Sequence, residues 1–147
     1  MSGFARKANL AAYQSVAIEG GVTGADPHAL VQMLLDATVE RIVSARACVE
    51  QNDRVRKAKL LHSCVTLIAE LRGSLDLIRG GALAQNLSDL YEYIAKQLLL
   101  ANVRDDVRPL NEALSLLGEI RSAWIAIGPE VRAAAAAGKN QRLVPSR

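Results

Sequence analysis

Residues 75–102 read LDLIRGGALAQNLSDLYEYIAKQLLLAN, and this stretch predicts two helices joined by a short corner. Apolar residues recur at intervals of three and four on both sides of Gly80 and Gly81, which is the spacing of one helix face. Glycine adopts the left-handed conformation in which many helices end. We therefore expect one helix to end at this glycine pair and the next to run to Ala101 and Asn102.

The same three-and-four spacing defines the apolar stripes of the last three of four predicted helices. The stripe before the glycine pair consists of Leu61, Cys64, Ile68, Leu71, Leu75 and Ile78. After the pair, the stripe consists of Leu83, Leu87, Leu90, Ile94, Leu98 and Ala101. The last helix repeats the pattern with Val107, Leu110, Leu114, Leu117, Trp124 and Ile127. No segment alternates with the period of two that a strand requires, so the chain is predicted to be all-α.

Aspartate residues mark where the predicted helices begin. Asp26 can accept from free backbone N–H groups as a cap, and Pro27 fits the first helical position, where an N–H is not needed. Asp53 and the pair Asp105-Asp106 indicate the next starts, and Gly128-Pro129 ends the last pattern. Short loops between helices favour antiparallel neighbours.

These signals divide the chain into three parts. Residues 26–129 are predicted to form an antiparallel up-down four-helix bundle. Residues 1–25 are predicted to form a short helical N-terminal arm, in which Leu10 and Tyr13 lie three residues apart and glycines provide the tether. Residues 130–147 form an Ala-rich basic tail that we expect to be frayed and partly disordered.

The charge distribution argues against a nucleic-acid partner. The net charge is +3, from eighteen basic and fifteen acidic residues. Four of the basic residues and one of the acidic residues lie in the tail, so the rest of the chain is neutral. Nucleic-acid-binding domains normally present a clustered basic face. We therefore predict no nucleic-acid partner.

Catalytic and metal-binding patterns are missing from the sequence. Cys48 and Cys64 form no CxxC pair, and neither His28 nor His62 follows a glutamate at the spacing of a di-metal helix bundle. The glycine pair lacks the Gly-Lys-Ser/Thr of a phosphate loop. No apolar run is long enough for a membrane span. We expect a cytoplasmic protein that is not an enzyme and that uses no metal or cofactor.

The sequence of residues 75–102 resembles the central signature of the flagellin export chaperone family, FliS. The family pattern is roughly LD-x-x-x-GGEIA-x-NL-x-x-LY-x-Y-x-x-x-x-L-x-x-AN, and Ala82 departs from it where the family has an acidic residue. The resemblance extends from about Leu10 to Pro129. Further matching residues are Ala12, Tyr13, Val16, Asp26, Pro27, Leu30, Met33, Leu34, Asp105, Asp106, Leu116, Leu117, Ala123 and Trp124.

This resemblance implies a cytoplasmic export chaperone that binds the disordered C-terminal segment of flagellin at one-to-one stoichiometry. Such a chaperone prevents premature polymerisation and supports delivery to the flagellar type III export apparatus, a component of whose gate would be a further partner. The alternative is a generic helical-bundle adaptor or scaffold that binds an amphipathic segment of an unrelated protein. The alternative shares the composition and periodicity but does not explain the ordered motif match.

Apolar residues beside the core stripes have two readings. Wide stripes are normal in globular bundles, and the same residues could instead form the floor of a groove for an amphipathic partner segment. The resemblance adds that the arm with its tyrosine covers the client site until flagellin arrives. The predicted client-binding residues are Leu10, Tyr13, Leu60, Leu67, Leu87, Tyr91, Leu98 and Asn102. The predicted structural residues are Asp26, Pro27, Gly80, Gly81 and Trp124.

Overall fold

The computed structural model describes residues 26–143, apart from the side chains of Ile78 and of residues 139–143. These residues form five α-helices and no strand. The helices are α1 (Pro27–Glu50), α2 (Arg54–Gly73), α3 (Leu77–Arg104), α4 (Val107–Ala126) and α5 (Gly128–Leu143). The predicted all-α helical bundle is confirmed. The predicted arm, with Leu10 and Tyr13, lies outside the described residues.

Aspartate side chains accept hydrogen bonds from backbone N–H groups at the starts of four helices. The pairs are Asp26 with Ala29 (3.0 Å), Asp53 with Arg56 (3.3 Å), Asp76 with Arg79 (3.1 Å) and Asp106 with Arg108 (3.0 Å). Each bond satisfies one of the N–H groups that a helix start leaves without an intrahelical partner. Helices α1, α2 and α4 therefore begin where the sequence indicates, whereas the start at Asp76 was not predicted.

The structure corrects the position of the corner between α2 and α3. Helix α2 ends at Gly73, well before Gly80, because Ser74 closes it: the Ser74 N–H donates to the Glu70 carbonyl (3.0 Å) and its hydroxyl to the Leu71 carbonyl (2.7 Å). Helix α3 starts directly afterwards, with Asp76 as its N-cap residue. The apolar spacing continues across this boundary, so periodicity alone did not reveal it.

Gly81 interrupts α3 near its start. Its backbone angles, φ +53° and ψ −133°, are not helical, and a positive φ of this kind suits a residue without a Cβ. Gly80 is also constrained, because a Cβ there would come within 2.5 Å of the Ala84 Cβ. The glycine pair therefore forms a break inside α3. Leu83 follows this break and is 71% exposed, so its predicted place in the core stripe is wrong.

Residues 26–143 divide into two structural units, of which the larger comprises residues 34–119. In that unit α2 and α3 are antiparallel, since Lys57 near the start of α2 contacts Asn102 and Arg72 near its end contacts Ser88. Aliphatic side chains of α1 to α4 form the core. The largest fully buried ones are Leu35, Ile42, Leu61, Ile68, Leu71, Ile94, Leu98, Leu110 and Leu117.

A buried lysine connects α2 to the turn between α3 and α4. Lys57 is only 3% exposed, and its ammonium donates to the Asn102 backbone carbonyl (3.0 Å) and to the Asp105 carboxylate. Arg54 is also near that carboxylate, with Nε 3.5 Å from Oδ2. A buried ammonium is tolerated only when paired and hydrogen-bonded. These contacts therefore fix the end of α3 against the start of α2.

The smaller unit contains the described residues 26–33 and 120–143. His28 and Trp124 interlock there: the indole N–H donates to the His28 backbone carbonyl (2.9 Å), and His28 Nε2 donates to the Trp124 carbonyl (2.7 Å). Their rings stack with centroids 4.5 Å apart. Gly128 lies against this pair, since a Cβ there would approach His28 Cε1 to 3.0 Å. Trp124 thus packs in this unit, half-buried.

Helix α5 is anchored to the same unit at its N-terminal end. The Arg132 guanidinium lies 3.7 Å from Asp26 Oδ2, the carboxylate whose other oxygen caps α1. The Val131 N–H donates to the Ile127 carbonyl (3.0 Å) and joins the start of α5 to the end of α4. No helix was predicted here, because a frayed and partly disordered tail was expected. An Ala-rich segment has high helix propensity, but an isolated helix of this length is only marginally stable, and the contact with Asp26 adds tertiary stabilisation.

We predict that Gly81→Ala destabilises the protein by about 1–3 kcal/mol, because alanine is strained at this positive φ. Gly118→Ala is the matched control, since it lies inside α4 and a Cβ there meets no atom within 4 Å. That substitution should stabilise by up to about 1 kcal/mol. Urea unfolding followed by circular dichroism measures both changes. Equal effects of the two substitutions would contradict the break at Gly81.

We predict that Asp105→Asn lowers the melting temperature at neutral pH and that this deficit disappears in acid. The Lys57 hydrogen bond and the Lys57 and Arg54 charges lower the pKa of Asp105 below its ordinary 3.8. The ionised carboxylate therefore stabilises the fold above that value, and the contribution is lost as pH falls through the lowered pKa. Asparagine tolerates the left-handed backbone at this position, φ +50°, so the change isolates the charge.

Thermal melts of wild type and Asp105→Asn between pH 2 and pH 7 measure this dependence. Asp89→Asn is the control, because the Asp89 carboxylate is exposed and accepts from the Gln85 amide (2.9 Å). A deficit for Asp105→Asn that stayed constant down to pH 2 would show that the charge of Asp105 does not contribute.

Candidate functional site

A groove of about 460 Å³ lies between α2 and α3 in the larger unit. This volume is within the range of ordinary ligand-binding clefts. Most of the groove is apolar, and three polar side chains lie along it. The lining residues are Val65, Ile68, Ala69, Arg72, Gly73, Leu77, Ser88, Tyr91, Glu92 and Ala95.

Small residues keep this groove open. Ala69 and Gly73 follow one another at helical spacing on α2, and Ala95 occupies the facing part of α3. A longer side chain at any of these positions would extend into the space between the helices. Ile68 and Tyr91 are buried and line the groove. The cleft therefore forms because α2 and α3 pack through their buried faces, while the side chains along their outer edges are small.

Tyr91 is the aromatic residue of the groove lining and is almost fully buried. The residue is 3% exposed, and burial raises the pKa of its hydroxyl to about 12. The phenol therefore stays neutral under physiological conditions. A neutral aromatic ring contributes a large contact area with little loss of side-chain freedom.

Arg72 connects the two sides of the groove at its polar edge. Its Nε donates to the Ser88 hydroxyl (2.8 Å), and its Nη2 donates to Glu92 Oε2 (3.2 Å). The Lys96 ammonium lies 3.7 Å from the other oxygen of Glu92. Ser88 is buried, whereas the Arg72 side chain is 43% exposed. Both positive and negative groups therefore lie along this edge of the groove.

The structure distributes the predicted client-binding residues between the core and the surface. Tyr91 lines the groove, whereas Leu67 and Leu98 are buried. Leu60, Leu87 and Asn102 are half-buried, and the backbone carbonyl of Asn102 accepts from Lys57. Leu10 and Tyr13 lie outside the described residues. A direct contact between these eight residues and a client stays a prediction.

Sequence reasoning missed most of the groove. Val65, Ala69 and Arg72 on α2, and Ala95 on α3, were not selected, because alanine is unremarkable in a helix and Arg72 reads as a solvated charge. The available signal was the repeat of small or apolar residues at i, i+4 and i+8, beside the main stripe of α2. Leu77 also lines the groove and is 48% exposed.

Further apolar surface lies on the outer face of α3. Leu99 and Val103 are exposed one turn apart. Tyr93 is also exposed and donates from its hydroxyl to Glu112 Oε1 on α4 (2.6 Å). That hydrogen bond to a carboxylate is the main cause of the raised pKa of Tyr93. The apolar residues of α3 that lie outside the core are therefore divided between the groove and exposed positions.

The thiols have the character of structural residues. Cys48 and Cys64 are both free and buried, and burial raises the pKa of Cys64 to about 12. A thiol that stays protonated is a poor nucleophile. Within residues 26–143 no three His, Cys, Asp or Glu side chains come together as metal ligands. In the same part of the chain no helix is long and apolar enough to cross a membrane.

The fold defines a helical-bundle protein with a largely apolar groove between α2 and α3. The protein family described as "Flagellar protein FliS" matches residues 8–131. The "Flagellar secretion chaperone FliS" of Salmonella typhimurium (strain LT2) is 40% identical over 120 residues, which cover 81% of this chain and 89% of the relative. The chain therefore belongs to the FliS family of flagellar secretion chaperones, as the sequence resemblance indicated.

Other members of the family support the same assignment. The "Flagellar secretion chaperone FliSB" of Pseudomonas aeruginosa (strain PAO1) is 41% identical over 112 residues, or 76% of this chain and 89% of the relative. The FliS of Vibrio cholerae is 33% identical over 124 residues, or 84% and 91% of the two chains. These proteins are named as chaperones, not as enzymes. Most of α5 lies beyond residue 131, where the family match ends.

Proposed function

We propose that this protein is a cytoplasmic export chaperone that binds the disordered C-terminal segment of flagellin at one-to-one stoichiometry. By binding, it prevents premature polymerisation and supports delivery to the flagellar type III export apparatus, where a gate component is a further partner. The observation that carries the proposal is the apolar groove between α2 and α3, in a chain that belongs to the FliS family.

The groove suits a segment that becomes ordered as it binds. An amphipathic helix places its apolar face in a groove of this kind through side chains one turn apart. Ordering a disordered segment costs free energy, and only a large apolar contact offsets that cost. Leu77 lines the groove and is exposed, and the exposed Leu99 and Val103 follow the groove residue Ala95 along α3 at helical spacing. Such surface is consistent with a client that contacts more than the groove.

Residues 1–25 are proposed as a competitor for the same surface. Leu10 and Tyr13 are apolar residues close to the chain end, and Gly20, Gly21 and Gly24 separate them from α1. A short tethered segment docks reversibly because it makes few contacts, and its high local concentration lets it compete all the same. Flagellin would displace the arm when it binds.

We predict that flagellin lacking about its last forty residues no longer binds, since wrapping of a disordered segment supplies the contact area. Isothermal titration calorimetry with intact and truncated flagellin measures the difference. Undiminished binding of the truncated form would favour the alternative, a helical adaptor that recognises an unrelated amphipathic segment.

We predict that Leu77→Glu weakens flagellin binding about tenfold or more, because it places a charge in an apolar site that becomes desolvated. Leu77 is 48% exposed in the free protein, so stability should change little. Leu83→Glu is the matched control on the same helix: Leu83 is exposed and does not line the groove.

Calorimetric titration and thermal melts of both variants check this expectation. Leu67→Glu serves as the marker for the core, since a charge at this buried position should unfold the protein. Equal binding by wild type and Leu77→Glu would show that the groove is not part of the client-binding site.

We predict that deleting residues 1–20 strengthens binding of the flagellin C-terminal segment. An arm docked nine-tenths of the time lowers the apparent affinity about tenfold, so deletion raises it by up to that factor. Self-association should increase, because apolar surface is uncovered. Titration and sedimentation of the full-length and shortened chains measure both effects. Weaker binding after deletion would show that the arm forms part of the client site.

A further inference from the structure

Arg72 is a polar group in a groove that is otherwise largely apolar. A guanidinium has five N–H donors in a planar fork, and the bonds to Ser88 and Glu92 involve Nε and Nη2. Neither bond involves Nη1. Ser88 is buried, so its hydroxyl holds the guanidinium at a fixed point beside the apolar lining.

Glu92 already presents a carboxylate to this guanidinium, yet weakly. The two side chains are 43% and 47% exposed, and the Nη2–Oε2 distance of 3.2 Å is long for a charge-assisted bond. Ion pairs as exposed as this one contribute little to stability. Lys96 is also 3.7 Å from Glu92, so this carboxylate keeps a cationic neighbour when it leaves Arg72. Displacement of Glu92 therefore costs little.

We propose that Arg72 recognises a carboxylate on the client segment and that Glu92 occupies its place in the free protein. This inference rests on the proposed function and adds the chemistry of the ligand: an amphipathic segment with an acidic side chain beside its apolar face. The apolar side chains contact Val65, Ala69 and Ala95, while the carboxylate accepts from Arg72. Ser88 positions the guanidinium.

The geometry favours an acidic ligand over a neutral one. When the segment covers the groove, water leaves the Arg72 edge, and a desolvated guanidinium requires an acceptor. Glu92 provides that acceptor only if the bound segment does not occupy the position of its carboxylate. An arginine fork matches the two oxygens of a carboxylate, which adds geometric selectivity to the charge attraction.

Arg72 could instead serve only to connect α2 with α3, and the two roles give opposite results for Glu92→Gln. If the Arg72–Glu92 pair only connects the helices, its loss lowers stability and does not strengthen binding. If Glu92 competes with the client, its loss frees Arg72 and strengthens binding. A gain of affinity is therefore the signature of recognition.

The experiment uses the full-length chain and the C-terminal forty-residue segment of flagellin in calorimetric titrations. Arg72→Gln should weaken binding about threefold to tenfold, Glu92→Gln should strengthen it about twofold to threefold, and the double variant should match Arg72→Gln. Arg79→Gln is the control, since Arg79 is exposed, pairs with Asp76 and does not line the groove. Thermal melts establish that each variant is folded.

A second set of titrations identifies the ligand group. Asp and Glu of the flagellin segment are replaced singly by Asn and Gln, and one replacement should weaken binding to wild type but not to Arg72→Gln. If Arg72→Gln binds like Arg79→Gln while Leu77→Glu does not bind, the inference is wrong and the proposed function stands. If no single replacement has a smaller effect on Arg72→Gln than on wild type, the inference is also wrong. No binding of the segment by wild type would overturn both.

Discussion

The pairing of α2 with α3 depends on the buried ammonium of Lys57. A lysine that is removed from water must find acceptors, and the Asn102 carbonyl and the Asp105 carboxylate at the end of α3 provide them. This requirement fixes the longitudinal register of the two antiparallel helices. The same register brings Arg72 to Ser88 near the other end of α2, where the groove lies.

Local signals in the sequence were sufficient for the starts of α1, α2 and α4 and for the fold class. Asp26, Asp53 and Asp106 cap helices through bonds to residues two or three positions away, so nothing distant is needed to predict them. The end of α2 was missed because Ser74 and Asp76 compete with an apolar pattern that continues through the boundary. The burial of Lys57 was also missed, since its acceptors lie more than forty residues along the chain.

The candidate site was harder to predict than the core, for a physical reason. Hydrophobic periodicity identifies side chains that fill space, and it placed Leu98 and Ile68 on helix faces that are buried. A groove results from side chains that do not fill space, such as Ala69, Gly73 and Ala95, and small residues give no distinctive signal in an Ala-rich sequence. The lining residues therefore became apparent only from the packing of α2 against α3.

The contact between Trp124 and His28 makes tryptophan fluorescence a probe of the smaller unit. Trp124 is the single tryptophan of the chain, and its indole stacks on an imidazole, an arrangement in which ring contact and the indole hydrogen bond both affect emission. Fluorescence of the native protein therefore reports on residues around the start of α1 and the end of α4. Far-ultraviolet dichroism averages over every helix, so the two spectroscopies observe different parts of the same molecule.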